Sequence, residues 1–163
     1  MKRAVAVRPA QQWDASVAVD LVALDSSERH RRRIALRGER GLAFLLDLPQ
    51  ATVLHHGDGL VLDDGAIIAV VGKPEPLVEI TASSFRGLVR LAWHIGNRHV
   101  DLQIVGERLR IRRDHVLETM LMSLGARLTP IEAVFDPEPG AYADAQHHDQ
   151  RWNDRDSDFG HAF

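Results

Sequence analysis

Cysteine is absent from this chain of 163 residues. Disulfide bonds, thiolate zinc sites and a cysteine nucleophile are therefore excluded. Any bound metal must be held by histidine nitrogen and by carboxylate or other oxygen, a ligand set that suits Ni(II), Cu(II) or Zn(II) better than Cu(I). Nine histidines make such a site chemically available.

Long apolar runs and strong charge of one sign are also missing. No run approaches the roughly 18 apolar residues that a membrane helix needs, and the N-terminal stretch MKRAVAVRPAQQWD lacks the apolar core of a signal peptide. The net charge of −3 gives no general electrostatic reason to bind nucleic acid or an anionic membrane. We expect a cytoplasmic protein that binds neither.

Sequence motifs of catalytic and nucleotide-binding proteins are not found. GxxxxGK[ST], GxGxxG and GxSxG do not occur. The segments HHGDG and GLVLDDG are predicted to form turns, because no helix follows them as a phosphate loop requires. Nothing assembles into a catalytic site, so we expect a protein that is not an enzyme.

The first half of the chain has the pattern of short strands. RAVAV, VAVDLVAL, RIALR, GLAFLLDLP and the stretch around HHGDGLVLDDGAIIAVVG alternate or run apolar. Residues 56–59 and 63–65 carry Gly and Asp and predict tight turns. The pattern predicts a β-rich N-terminal domain over residues 1–73, and GKPEP at residues 72–76 marks its boundary.

The second half alternates strands with helices. Strands are predicted at 77–82, 100–105, 108–113 and in ARLTPIEAVF. A first helix, FRGLVRLAWHI, is expected to follow a serine cap, to bury a stripe and to end at a left-handed Gly96. A second, HVLETMLMSLG, is expected to begin after the cap Asp114 and to close at Gly125. The expected stripes are Phe85, Leu88, Val89, Ala92 and Ile95 in the first helix, and Leu117, Met120, Leu121 and Leu124 in the second.

This order, β-α-β-β-α-β, is that of the ferredoxin-like fold. The predicted fold class is α+β, with an all-β N-terminal domain followed by a ferredoxin-like domain over residues 77–143. Apolar periodicity ends at Asp136, and residues 144–163 hold five aspartates and three histidines. They are expected to form a disordered polar tail.

The histidines in the folded part are weak metal-site candidates when each is considered alone. His94 and His99 flank a Gly-Asn pair and cannot be assumed to chelate one ion, and a lone histidine at a strand entry is usually a hydrogen-bonded surface residue. His115 and Glu118 stand one helical turn apart and are able to share an ion, but an exposed first turn with a stabilising acid is the better interpretation.

Three other groups of polar residues have simple structural interpretations. His55 and His56 are neighbours that point to opposite faces of a strand, and they are better explained as polar residues beside a turn. RHRRR at residues 29–33 has the charge to bind an acidic partner or RNA, but a solvated strand end or loop fits better. For His147 and His148 in the tail, metal capture and simple solubility are equally good explanations.

Three stretches resemble a known family. WHIGNRHVDLQI at residues 93–104, LRIRRDHVLETML at 109–121 and FDPEPGAYA at 135–143 are similar, in order and spacing, to the signature stretches of the UreE family, the urease accessory nickel metallochaperones. The first half also resembles the N-terminal domain of that family. The likeness covers residues 1–143.

The resemblance implies a homodimer formed through the second domain. It implies that His99 meets its symmetry mate at the interface and that the two hold one Ni(II), with Zn(II) or Cu(II) in competition. His94 and Asp114 are given a supporting role. The implied partners are the urease accessory GTPase and, through the accessory complex, apo-urease.

The chain departs from the family pattern at two places. Its tail has three histidines and is not polyhistidine, which puts a storage role in doubt, although His147 or His148 remain possible ligands of the interfacial ion. Arg113 stands where some relatives have a histidine, which weakens a peripheral site at His115. The alternative functions are a general histidine-based Zn, Cu or Ni buffer and a nucleic-acid-binding ferredoxin-like module, the second disfavoured because the central strands lack aromatic residues.

Overall fold

The computed structural model describes residues 1–140. They form ten strands, arranged in two sheets, and two α-helices. The expected α+β class is confirmed at this level. The helices are α1 (Phe85–Asn97) and α2 (His115–Ser123). The strands are β1 (Lys2–Arg8), β2 (Asp20–Leu24), β3 (His30–Arg37), β4 (Ala43–Val53), β5 (Gly59–Leu62), β6 (Ile67–Gly72), β7 (Pro74–Thr81), β8 (Gln103–Val105), β9 (Arg108–Arg112) and β10 (Arg127–Val134).

The first sheet contains six strands in the order β2-β6-β5-β1-β4-β3. Its pairs are antiparallel except for β1 with β4 and β2 with β6. Alternating apolar residues of these strands enclose one core, in which Phe44, Leu46, Leu60 and Ile68 are fully buried. Both predicted turns are present, with Gly57 and Gly65 at positive φ.

One predicted strand begins later than expected. Residues 17–24 were predicted to be extended throughout, but Ala15–Val17 form a short 3-10 turn and β2 starts at Asp20. The Asp14 side chain accepts a hydrogen bond from the backbone N–H of Ser16 and so starts that turn. This local capping bond overrides the apolar run that follows.

Asp20 is a buried carboxylate that fixes the neighbouring loop. Its oxygens accept hydrogen bonds from the backbone N–H groups of Leu21, Arg40 and Leu42 at 2.7, 2.8 and 3.0 Å. Burial by itself raises the pKa of Asp20, but these three donors and the Arg40 charge outweigh it, so that the pKa is lowered below 3.8.

We expect this lowered pKa to make stability depend on pH. The carboxylate stabilises the fold above the unfolded-state pKa of 3.8, and that contribution is lost as the pH falls through the lower folded-state value. Urea unfolding of the wild type and of Asp20→Asn should therefore give a constant difference in the free energy of unfolding between pH 5 and 8. The difference should shrink below about pH 4. A difference that grows on acidification would contradict this.

The second sheet contains four antiparallel strands in the order β10-β7-β9-β8. The element order along the chain is β7-α1-β8-β9-α2-β10. Leu88, Leu91 and Ile95 of α1 and Leu117 and Leu121 of α2 pack with residues of β7 and β9 in a second core. The predicted sequence of strands and helices is therefore observed, although β7 begins at Pro74 and β8 begins at Gln103.

The buried side of α1 is rotated from the predicted one. Phe85 and Val89 are 71% and 50% exposed, and Leu91, which was left out of the predicted stripe, is buried. In α2 the prediction is wrong at Leu124, which is 40% exposed. The apolar residues of α1 cover more than one face, so periodicity alone does not determine which face packs against the sheet.

Buried polar contacts join the two sheets. Arg29 is 1% exposed and donates hydrogen bonds to the carbonyl oxygens of Leu54 and Phe135. Asp136 lies 4.0 Å from Arg29 and 2.7 Å from Nδ1 of His55. The prediction of a solvated segment at 29–33 is wrong for Arg29 and correct for the four exposed residues after it.

Candidate metal centre

His99 lies at the end of α1, in an unusual backbone conformation. Its φ is +57°, and it is the one residue other than glycine with positive φ among residues 1–140. Its backbone N–H donates to the carbonyl of Gly96 at 3.0 Å, and the N–H of Val100 donates to the carbonyl of Ile95 at 3.5 Å. This pair of bonds is the Schellman motif, in which the left-handed position is usually a glycine.

The sequence predicts the left-handed residue at Gly96, and this prediction is wrong by three residues. Gly96 lies within α1, and the left-handed residue is His99. The second helix gives an internal comparison. The N–H of Gly125 donates to Met122 and that of Ala126 donates to Leu121, with Gly125 at a φ of +89°. The same motif is thus built once with glycine, as predicted, and once with histidine.

A histidine at this position carries an energetic cost. A left-handed conformation costs a residue with a Cβ roughly 1–2 kcal/mol, although histidine adopts it more readily than most residues. Strained backbone conformations cluster at functional sites, because the surrounding structure holds them for a purpose other than stability. The buried Ile95 and the partly buried Val100, which pack in the second core on either side of the turn, hold the exposed His99 in place.

The start of α2 lies beside this helix end. Arg98 and Val100, which flank His99, line a shallow depression together with Asp114 and Val116, which flank His115. Asp114 caps α2 as predicted, because its carboxylate accepts a hydrogen bond from the N–H of Leu117 at 2.9 Å.

His115 is exposed in the first turn of α2, and its possible co-ligand is already engaged. Glu118 forms an ion pair with Arg113 at 3.0 Å and accepts a hydrogen bond from the N–H of Asp114 at 2.9 Å. This arrangement agrees with the structural interpretation of Glu118 as a stabilising acid. Arg113 stands where some relatives have a histidine. It also pairs with the Glu118 carboxylate, which would otherwise be able to bind a metal ion together with His115.

His94 is half-buried on α1. Its ring contacts Trp93 edge-on, with ring centroids 5.0 Å apart, and its carbonyl accepts a hydrogen bond from Arg98 at 3.5 Å. These contacts tie His94 to the turn that positions His99. Within residues 1–140 no group of three or more His, Asp or Glu side chains is arranged to hold a metal ion.

The remaining histidines of interest have other surroundings. His56 accepts a hydrogen bond from the N–H of Gly72 at its Nδ1 atom, and His55 contacts Asp136 across the two sheets. The His55 contact joins positions 81 residues apart and has no signal in the sequence. His147 and His148 lie outside the described residues.

Apolar and basic side chains are exposed on the two helices near His99. Trp93 and Val116 are 63% and 78% exposed. Helix α1 carries no acidic residue, and Arg86, Arg90, Trp93 and His94 line a second depression on it. The exposed surface of the two helices therefore combines apolar side chains with the basic side chains of α1.

Comparison with known proteins identifies the family. The model of the N-terminal domain of the UreE urease accessory protein matches residues 2–72, and that of its C-terminal domain matches residues 75–162. The chain belongs to the UreE family. It is 56% identical over 147 residues to the urease accessory protein UreE of a Bradyrhizobium species, an alignment that covers 90% of this chain and 71% of the relative.

Further relatives align over most of both chains. The UreE protein of Beijerinckia indica is 52% identical over 151 residues, which cover 91% of this chain and 87% of the relative. UreE 1 of Brucella suis is 44% identical over 143 residues, with 88% of each chain covered. The resemblance to the UreE family is therefore confirmed.

Membership of the family determines the general role. UreE proteins are urease accessory chaperones and not enzymes, so the expectation that this chain is no enzyme is confirmed. The family also places the chain in metal handling for urease. In the part of the chain that the structure describes, no helix is both long and apolar enough to cross a membrane.

Proposed function

We propose that the chain is a nickel metallochaperone that works as a cytoplasmic homodimer and binds Ni(II) between the His99 side chains of its two subunits. The observation that carries the proposal is the conformation of His99, an exposed histidine held at the left-handed end of a helix where glycine is the favoured residue. The strain of a left-handed backbone at a non-glycine residue is explained if the imidazole is needed at this point to bind the metal ion.

The surroundings of His99 support a twofold interface. In an isologous interface the same surface of each subunit meets its copy, so that one histidine becomes a pair. Exposed apolar side chains such as Trp93 and Val116 provide area whose burial favours association.

Two imidazoles suit a metal that must be delivered. They bind Ni(II), and they bind Zn(II) and Cu(II) as competitors. They also leave coordination positions for exchangeable ligands, for which His147 and His148 are our candidates, with His94 and Asp114 supporting the turn and the helix start. His115 is the weakest of the proposed ligands, because Glu118 is engaged elsewhere. The urease accessory GTPase and the apo-urease complex are proposed to displace the tail ligands and accept the ion.

The architecture is consistent with this assignment. We propose a β-rich N-terminal domain over residues 1–73 and a ferredoxin-like metal-binding domain over 77–143. The expected tail, residues 144–163, lies outside the described residues. The all-antiparallel order β10-β7-β9-β8, with both helices packed in one core against that sheet, supports the ferredoxin-like class.

Urease activity in cells tests the proposed role. We expect the chain to restore urease activity, at limiting nickel, to a urease-positive bacterium that lacks its own gene of this family. His99→Ala should restore at most about a tenth of that activity, and Asn97→Ala, which alters the same turn, should restore it fully. Excess nickel should remove the difference. Equal activity of His99→Ala and wild type at limiting nickel would overturn the proposal.

A further inference from the structure

Strand β3 is an open edge of the six-stranded sheet. It pairs with β4 only, and no other strand within residues 1–140 covers its other side. This leaves the backbone N–H and C=O groups along one side of an eight-residue strand without a strand partner. Such an edge is a template for the addition of another strand.

The side chains of this edge are strongly basic. His30, Arg31, Arg32 and Arg33 are consecutive and exposed, and Arg37 is exposed at the end of the strand. Ile34 and Leu36 pack against the core, so that Arg33 and Arg37 project from the opposite face. The edge therefore combines a free backbone with a row of cations.

Little negative charge within the described residues balances this row. Asp47 is shared between Arg33 at 3.6 Å and Arg3 at 3.7 Å. Arg32 and Arg37 donate only to the backbone carbonyls of Leu48 and Gly41, and Arg31 forms no ion pair with any residue from 1 to 140. The arginines are available to a ligand that brings its own carboxylates.

We propose that β3 is a docking edge for an extended acidic segment of a partner protein, which adds to the sheet as a seventh strand. Backbone hydrogen bonds along β3 supply the pairing, and carboxylates of the segment meet the exposed arginines Arg31, Arg33 and Arg37. A second copy of this strand is disfavoured, because two rows of arginine would face each other. RNA is disfavoured because residues 29–37 contain no Phe, Tyr or Trp for base stacking.

This docking edge is separate from the proposed nickel site. It lies on the first sheet, whereas His99 lies on the second, and none of its residues is a proposed ligand. The inference therefore does not depend on the proposed function. It provides the N-terminal domain with a role in selecting the protein that receives or supplies the metal.

Binding of a synthetic peptide to the full chain tests the proposal. The probe is a fluorescein-labelled decapeptide of alternating Glu and Thr, followed by fluorescence anisotropy. Its controls are the same peptide with Lys for Glu, the same peptide N-methylated at every residue, and a single-stranded oligouridine of equal charge. We expect the Glu peptide alone to bind well, with affinity that falls as salt rises, and N-methylation to weaken binding at least tenfold, because it removes the pairing donors.

Variants identify the surface. The double variant Arg31→Glu, Arg37→Glu should weaken binding of the Glu peptide about tenfold or more. The matched double variant Arg8→Glu, Arg127→Glu makes the same charge change at exposed sites elsewhere and should alter binding less than about twofold. Circular dichroism should show both variants folded.

Four results of the binding experiments would overturn the proposal. They are failure of the full chain to bind the Glu peptide, equal losses in the two double variants, indifference to N-methylation, and tighter binding of the oligouridine than of the peptide. A change of oligomeric state in Arg31→Glu, Arg37→Glu would also overturn it, since β3 would then be an interface between copies of this chain.

Discussion

Replacing His99 with glycine is expected to abolish tight nickel binding and to leave the protein as stable as before or more stable. Glycine removes the imidazole, but it is the residue that the left-handed position favours, as Gly125 shows at the end of α2. Relief of the backbone strain offsets the greater freedom of glycine in the unfolded chain, so that the free energy of unfolding should rise by about 0–1 kcal/mol.

Calorimetric titration with Ni(II) and urea unfolding measure the two effects on the same samples. We expect nickel binding to weaken at least about a hundredfold. Loss of a residue that only hydrogen-bonds to a metal ligand weakens binding by about 10–100-fold, and here a ligand itself is lost. Asn97→Ala, which alters the same turn, serves as the matched control and should change the affinity less than about tenfold. A His99→Gly variant that keeps its nickel affinity, or that unfolds, would show that His99 is a structural residue.

Replacing Arg29 with methionine is expected to give the largest loss of stability. Its guanidinium is almost fully buried and donates to the carbonyls of Leu54, directly after β4 of the first sheet, and of Phe135, directly after β10 of the second. Removing it leaves these acceptors unpaired and Asp136 with one positive neighbour fewer. The expected loss is about 3–5 kcal/mol, equivalent to a fall in melting temperature of roughly 6–20 °C.

The neighbouring Arg31 provides the control for this experiment. It is exposed, and Arg31→Met should change the free energy of unfolding by no more than about 0.5 kcal/mol. Urea denaturation followed by tryptophan fluorescence measures both variants under the same conditions. Equal stabilities of Arg29→Met and Arg31→Met would show that the contacts between the sheets contribute little.

Features that depend on nearby residues were predicted well from the sequence. The turns at Gly57 and Gly65, the cap Asp114 and the end of α2 at Gly125 are determined by the residues within a few positions of each. The order of strands and helices in the second half follows from changes in apolar period. The family resemblance rests on stretches such as GNRH whose order and spacing are specific.

Features that depend on distant contacts were not predicted. The sequence does not show that Arg29 is buried, because its partners Leu54 and Phe135 are 25 and 106 residues away. The end of α1 was also predicted at the wrong residue, because glycine is the usual left-handed residue at a helix end and Gly96 is the glycine nearest to that end. The packing of Ile95 and Val100 places the turn three residues later. The proposed site residue His99 was therefore identified by resemblance, and its conformation by the structure.

Native mass spectrometry of mixed dimers tests the central claim most directly. Wild-type chains and His99→Gly chains that carry a mass tag are mixed, allowed to exchange subunits, and titrated with Ni(II). A site that needs His99 from both subunits predicts one tightly held ion in the wild-type dimer, and none in the mixed dimer or in the variant dimer. Two ions in the wild-type dimer and one in the mixed dimer would contradict the account, because each subunit would then bind nickel alone.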